Sequence, residues 1–100
     1  MKTSPVIFVH IYLSEASDLQ DDILHYLKND ANIAGASVYR AISGFGSSGV
    51  HTASFLDLSL DLPLIIEFFD EKNKVMPAIS YLNNLVKPKH ILFWEANNVL

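Results

Sequence analysis

The chain has no cysteine, which rules out a disulfide framework, a thiolate zinc site and a cysteine nucleophile together. Positive charge is also scarce. Seven lysines and arginines, scattered from Lys2 to Lys89 without a cluster of three, stand against eleven acids and leave a net charge of −4. A phosphate backbone is held by a concentrated positive surface, so nucleic acid is not expected as a partner. No apolar run comes near the roughly 20 residues of a membrane-spanning helix. The run from Val6 to Leu13 is short, contains His10 and follows Pro5. Its β-branched and aromatic residues suit a buried strand better than the apolar core of a signal peptide. The expectation is a cytoplasmic protein without membrane insertion. No Ser-His-Asp order or carboxylate pair can be placed, and Ser47 and Ser48 have no identified base beside them, so no catalytic residue is expected.

What is present is apolar bulk. Half of the 100 residues are hydrophobic and 18% are charged. A chain of this length makes one domain, residues 1 to 100, and buries only about two-thirds of its unfolded surface. The apolar surplus then has to be covered by self-association.

Val6 to Leu13 sets Ile7, Val9, Ile11 and Leu13 on one face and Val6, Phe8, His10 and Tyr12 on the other. Both faces of this first strand need a cover. Ser17 opens a helix, with Gln20 completing a Ser-x-x-Gln capping box, Asp21 and Asp22 near the positive end and Lys28 near the negative end. Leu19, Ile23 and Leu27 make its apolar stripe, with Leu24 beside them. A second strand follows from about Ala36 to Ser43, with Val38, Arg40 and Ile42 on one face. Residues 44 to 49 hold three of the four glycines, which predicts a long loop with unusual backbone angles or close approaches.

Leu62 to Phe69 reads as a third strand, with Pro63 at its start. Asp70 is placed to cap a second helix carrying Val75, Ile79 and Leu82 on its buried side. Pro77 leaves two options, a helix distorted in its first turns or one that begins near Met76. Pro88 ends it, and His90 to Glu95 is a fourth strand containing Trp94. The order βαββαβ predicts an α+β ferredoxin-like domain, a four-stranded antiparallel sheet with two helices on one face. Its other face is left open, and the apolar strands imply that sheets of several subunits pack there.

The segment from Ile33 to Gly46, then His51 and Thr52, then Asp61 to Asp70, resembles the PII-like family of domain of unknown function 190. Ile11 to Glu15 is similar to that family's first strand, so the resemblance runs along nearly the whole chain. Gly44-Phe45-Gly46 is similar to the point where PII proteins begin their signalling loop. The resemblance implies a ferredoxin-like subunit, a homotrimer, a cleft between subunits that binds an adenine nucleotide (AMP, ADP or ATP), and no enzymatic activity. Ala41 stands where the family usually has Gly, and no Gly-rich basic segment like the phosphate-binding loop of PII proteins is present.

The candidate ligand contacts follow from chemistry and resemblance together. Gly44, Phe45, Gly46, Ser47, Ser48, His51 and Thr52 combine glycine-rich backbone N–H groups with side-chain donors, which suits an anionic ligand; the plainer alternative is a hairpin loop. Their spacing is not that of a dinucleotide fingerprint. Arg40, in the middle of a strand, suits a phosphate or carboxylate, or an ion pair with Glu67 or another acid. Glu67 is first a structural partner and second a ligand contact. His10, His25, His51 and His90 lack the paired spacing of a metal site, and none is assigned. Lys72 and Lys74, near the start of the second helix, could help bind phosphate, but read first as solvated.

The leading expectation is thus a regulatory trimer whose 44–56 loop answers to the ligand and is read by a regulated protein. Two alternatives share the fold: a structural or divalent-metal-binding trimer of the cation-tolerance type, and a small oligomeric enzyme using His51 or His10 as acid or base in a pocket on the open face.

Overall fold

The computed structural model describes residues 1–14, 17–46, 49–52 and 63–100. Strand β1 (Thr3–Ser14) leads to helix α1 (Leu19–Asn29), and strand β2 (Ala36–Arg40) follows. Two short strands, β3 (Ser43–Gly46) and β4 (Gly49–Thr52), precede β5 (Pro63–Asp70), α2 (Lys72–Leu82) and β6 (Ile91–Val99). The main sheet has the order β2-β5-β1-β6 with every neighbouring pair antiparallel. This is the ferredoxin-like α+β arrangement, with β3 and β4 as a separate ribbon.

Alternation along β1 and β5 builds the core. Val9, Ile11, Ile66 and Phe68 point to the helix side, where Ile23 and Leu27 of α1 and Val75, Ala78 and Leu82 of α2 close over them. Among the described residues no polar or charged side chain is fully buried. The helix-side stripe of Leu19, Ile23, Leu24 and Leu27 packs as expected. On the outer surface the Tyr26 and Tyr81 rings stack at 4.0 Å, linking the two helices. Burial raises the Tyr26 phenol above its ordinary value, with Tyr81 and Asp30 adding to the effect.

Several boundaries differ from expectation. The Ser17 hydroxyl accepts the Leu19 N–H at 3.2 Å, but Asp18 is the residue at the helix cap. At α2 the cap is Glu71, because the Asp70 carboxylate is a tie between elements: it accepts the Glu71 N–H at 2.8 Å and the Ala34 N–H at 2.9 Å. Lys74 approaches the same carboxylate at 3.9 Å. Helix α2 runs from Lys72 straight through Pro77, which settles the two options left by the sequence. Burial of Val75, Ala78 and Leu82 holds it against a cost of about 3 kcal/mol for an interior proline.

Strand β6 runs to Val99, well beyond Glu95, because β1 pairs with it as far as Thr3. Pro5 is accommodated since the pairing with β5 stops at Ile7, leaving the start of β1 paired on one side only. Strand β5 is described from Pro63; Leu62, its expected first residue, lies outside the described residues.

Candidate functional site

Two surfaces carry the residues of interest. The first is where the ribbon leaves the sheet. Strand β2 ends at Arg40, the Ala41 N–H donates to the Pro63 carbonyl at 2.9 Å, and the chain enters β3 two residues later. The ribbon pairs Ser43 with Thr52, Gly44 with His51, Phe45 with Val50 and Gly46 with Gly49. Most of the stretch expected to be a long loop is therefore an antiparallel ribbon, in which Ser43, Phe45, Val50 and Thr52 supply strand-forming residues between the glycines. Ser47 and Ser48 lie outside the described residues, as do residues 53–62 of the expected 44–56 loop and beyond.

Gly44 departs from its expected role in one respect. A Cβ there would meet nothing within 4 Å, and its backbone is not in the left-handed region. Among the described residues, nothing in the packing requires glycine at this position. Ile42 and Phe45 at the base of the ribbon are 80% and 85% exposed, an unusual state for two large apolar side chains so close together.

The second surface is the open face of the sheet. Registers place Phe8, His10 and Tyr12 of β1, Ile65, Glu67 and Phe69 of β5, Leu92 and Trp94 of β6, and Tyr39 of β2 on it. Phe8 is the centre of the aromatic layer, stacked on Phe69 at 5.7 Å and on Trp94 at 4.9 Å. His10 contacts Trp94 edge-on at 5.1 Å and Phe8 at 5.7 Å. Its Nε2–H donates to Glu67 Oε1 at 2.8 Å, while the Tyr39 hydroxyl donates to Glu67 Oε2 at 3.3 Å. Each oxygen of the carboxylate thus accepts a hydrogen bond within the subunit.

This register bears on Arg40. It lies opposite Leu64, on the helix side with Val38, whereas Glu67 lies opposite Ser37 and His10 on the open side. Within a subunit Arg40 and Glu67 therefore project from opposite faces of the sheet, away from the pairing the sequence offered. The sequence missed His10 and Tyr39 as the partners of Glu67. His90 lies near the far end of the same face, where its Nδ1–H donates to the Tyr12 carbonyl at 3.2 Å, and His10 faces Leu92 rather than His90. A histidine and a carboxylate do meet on the open face, as the enzyme alternative requires. One depression among the described residues lies elsewhere, lined by Leu24, Leu27, Lys28 and the residues Ile33 to Ala36.

A four-stranded antiparallel sheet backed by two helices, with a ribbon inserted after its second strand, defines the PII-like version of the ferredoxin-like fold. Among solved structures, the chain matches CPII of Thiomonas intermedia K12 bound to ADP and bicarbonate with a TM-score of 0.73 at 18% identity, covering 96% of this chain and 90% of that one. A putative PII-like signaling protein of Thermus thermophilus matches with a TM-score of 0.67 at 15% identity, over 97% and 90% of the two chains.

The chain belongs to the family of domain of unknown function 190, described as uncharacterized ACR, whose model matches residues 6–98. A UPF0166 protein of Methanocaldococcus jannaschii is 32% identical over 81 residues, 77% of this chain and 75% of that protein. Another from Aquifex aeolicus is 28% identical over 95 residues, 89% and 97% of the two. Among the described residues no helix is long and apolar enough to cross a membrane.

Proposed function

We propose that this chain is a non-enzymatic regulatory subunit of the cytoplasm that binds an adenine nucleotide (AMP, ADP or ATP) between the subunits of a homotrimer and reports it through the ribbon. The observation that carries this reading is the ribbon itself. It leaves the sheet beside Arg40, holds the glycines Gly44, Gly46 and Gly49, and displays Ile42 and Phe45 with no cover from the described part of the subunit. A projecting two-stranded element with exposed apolar side chains is suited to being read by another protein once a ligand fixes its state. CPII, which shares the fold, was crystallised with ADP.

In this reading Arg40, Gly44, Phe45, Gly46, Ser47, Ser48, His51 and Thr52 form the ligand-facing group, with Arg40 supplying the cation for phosphate and the ribbon supplying N–H and hydroxyl donors. Glu67 has a different part. Its two oxygens are held by His10 and Tyr39, so it serves the sheet face through which subunits meet. That face suits a second copy of itself: among the strand residues that line it Glu67 is the one acid, and it is matched from within by His10. While the pair holds its proton, two identical faces bring no unmatched charge together.

The test is a thermal-unfolding series with AMP, ADP, ATP, cyclic nucleotides and common metabolites. A ligand at about one hundred times its dissociation constant contributes roughly 2.7 kcal/mol per site. For a domain of this size that should raise the midpoint by more than about 5 °C with at least one adenine nucleotide. A flat response to all three adenine nucleotides would overturn the nucleotide reading.

A further inference from the structure

We propose that the His10–Glu67 pair is a proton-operated lock on assembly: the sheet face packs against further copies of this chain when the pair holds a proton, and releases them as that proton is lost. The inference rests on the sheet-face assembly proposed above and adds a regulation to it.

The setting supports a lock rather than an incidental surface contact. His10 and Glu67 sit directly opposite each other on the two central strands, each about a quarter exposed and bonded at 2.8 Å. Phe8, Tyr12 and Trp94 surround the imidazole at ring distances of 4.9 to 6.1 Å of one another or of it. On the face itself Phe69 and Trp94 remain about half exposed in the isolated subunit. Packing another copy there removes the remaining water from the pair along with that from the aromatic layer. The titratable groups that face His10 are Glu67 from β5, with Tyr39 of β2 on the same carboxylate, and Tyr12 from its own strand; His90, just before β6, is bonded to the Tyr12 carbonyl further along the face. The residues of the four strands place no Lys, Arg or Asp on this face to replace the imidazolium as a counter-charge.

The direction follows from counting protons. With one proton, the pair is neutral as a unit, whether the proton is drawn as imidazolium with carboxylate or as imidazole with carboxylic acid. Without it, a bare carboxylate supported by neutral donors has to enter an apolar interface, where an unpaired charge is strongly disfavoured. The assembled state therefore binds the proton more tightly than the free subunit. Assembly is favoured toward acid pH, where the pair holds its proton, and weakens as pH rises and the proton is lost. Each subunit brings its own pair, so the dependence is steeper for a trimer than for a single site.

Sedimentation equilibrium of the full chain at about pH 6 and about pH 8 tests this on the wild type and on the variants Glu67→Gln and His10→Gln. The expected result is a wild-type dissociation constant that rises by at least about tenfold toward pH 8, and a Glu67→Gln protein in which that rise is lost, its association holding or tightening toward pH 8 because an imidazolium without a counter-charge is what now opposes assembly on the acid side. His10→Gln, which keeps the carboxylate without its proton partner, should associate weakly at both values. Wild-type assembly of equal strength at both pH values overturns the lock and leaves the assembly standing, as does an unchanged pH slope in His10→Gln. Monomers at both pH values for the wild type and for Glu67→Gln would overturn the sheet-face assembly, and the lock with it.

Discussion

Phe69→Asp is expected to dissociate the oligomer while the subunit stays folded. Phe69 lies on the open face, 45% exposed, stacked on Phe8 at 5.7 Å and two residues from Glu67. In the isolated subunit the substitution costs little, since the new carboxylate reaches water. In the proposed sheet-face assembly it would remove a large apolar contact and add a second acid to a face whose one acid is paired with His10. The combined loss, about 4 kcal/mol or more, corresponds to a dissociation constant raised by roughly a thousandfold. Sedimentation velocity at micromolar concentration should show monomers whose circular dichroism matches the wild type.

Its neighbour Phe68 is expected to give the opposite result. Phe68 is 2% exposed and points to the helix side, within the core formed with Ile66, Val75 and Leu82. Phe68→Ala removes that packing and leaves a cavity, a change that costs about 3–5 kcal/mol in comparable cores. Domains of this size have about 5–15 kcal/mol of stability in total. The thermal midpoint should fall by about 15 °C or more, read by calorimetry or circular dichroism. Two adjacent residues of the same type would then separate folding from assembly, because alternation sends them to opposite sides of one strand.

Much of this could be read from the residues alone, and the rest could not for identifiable reasons. The doubly apolar pattern of Val6 to Leu13 implied a sheet covered on one face by helices and, on the other, by something outside the subunit. The stripe of Leu19, Ile23 and Leu27 located the face of α1. The ribbon was hidden because glycines at 44, 46 and 49 look like a loop and mask the alternation of Phe45, Val50 and Thr52. The partners of Glu67 were hidden by distance: His10 is 57 residues away, and only the register of β1 with β5 brings them together. Register also decides that Arg40 and Glu67 face apart, since a slip of one residue would have put them on the same side. Composition cannot supply that parity.

The cap of α2 shows the same limit on a smaller scale. Asp70 has the right chemistry for a helix cap, yet one of its oxygens is taken by the Ala34 N–H from the turn before β2. A local motif competes with a tertiary contact there, and sequence shows only the first. Pro77 is a second instance, in which buried Val75 and Ala78 override the local preference for a break.

The ribbon is the element proposed to answer to a ligand. Hydrogen exchange of the backbone amides in 43–46 and 49–52, measured on the oligomer with and without ADP or ATP at a concentration that calorimetry shows to be saturating, tests it. The predicted result is a change of at least about tenfold in ribbon exchange rates on nucleotide binding, with the core strands β1 and β5 unaltered. Identical ribbon exchange in a demonstrably saturated oligomer would contradict the central claim.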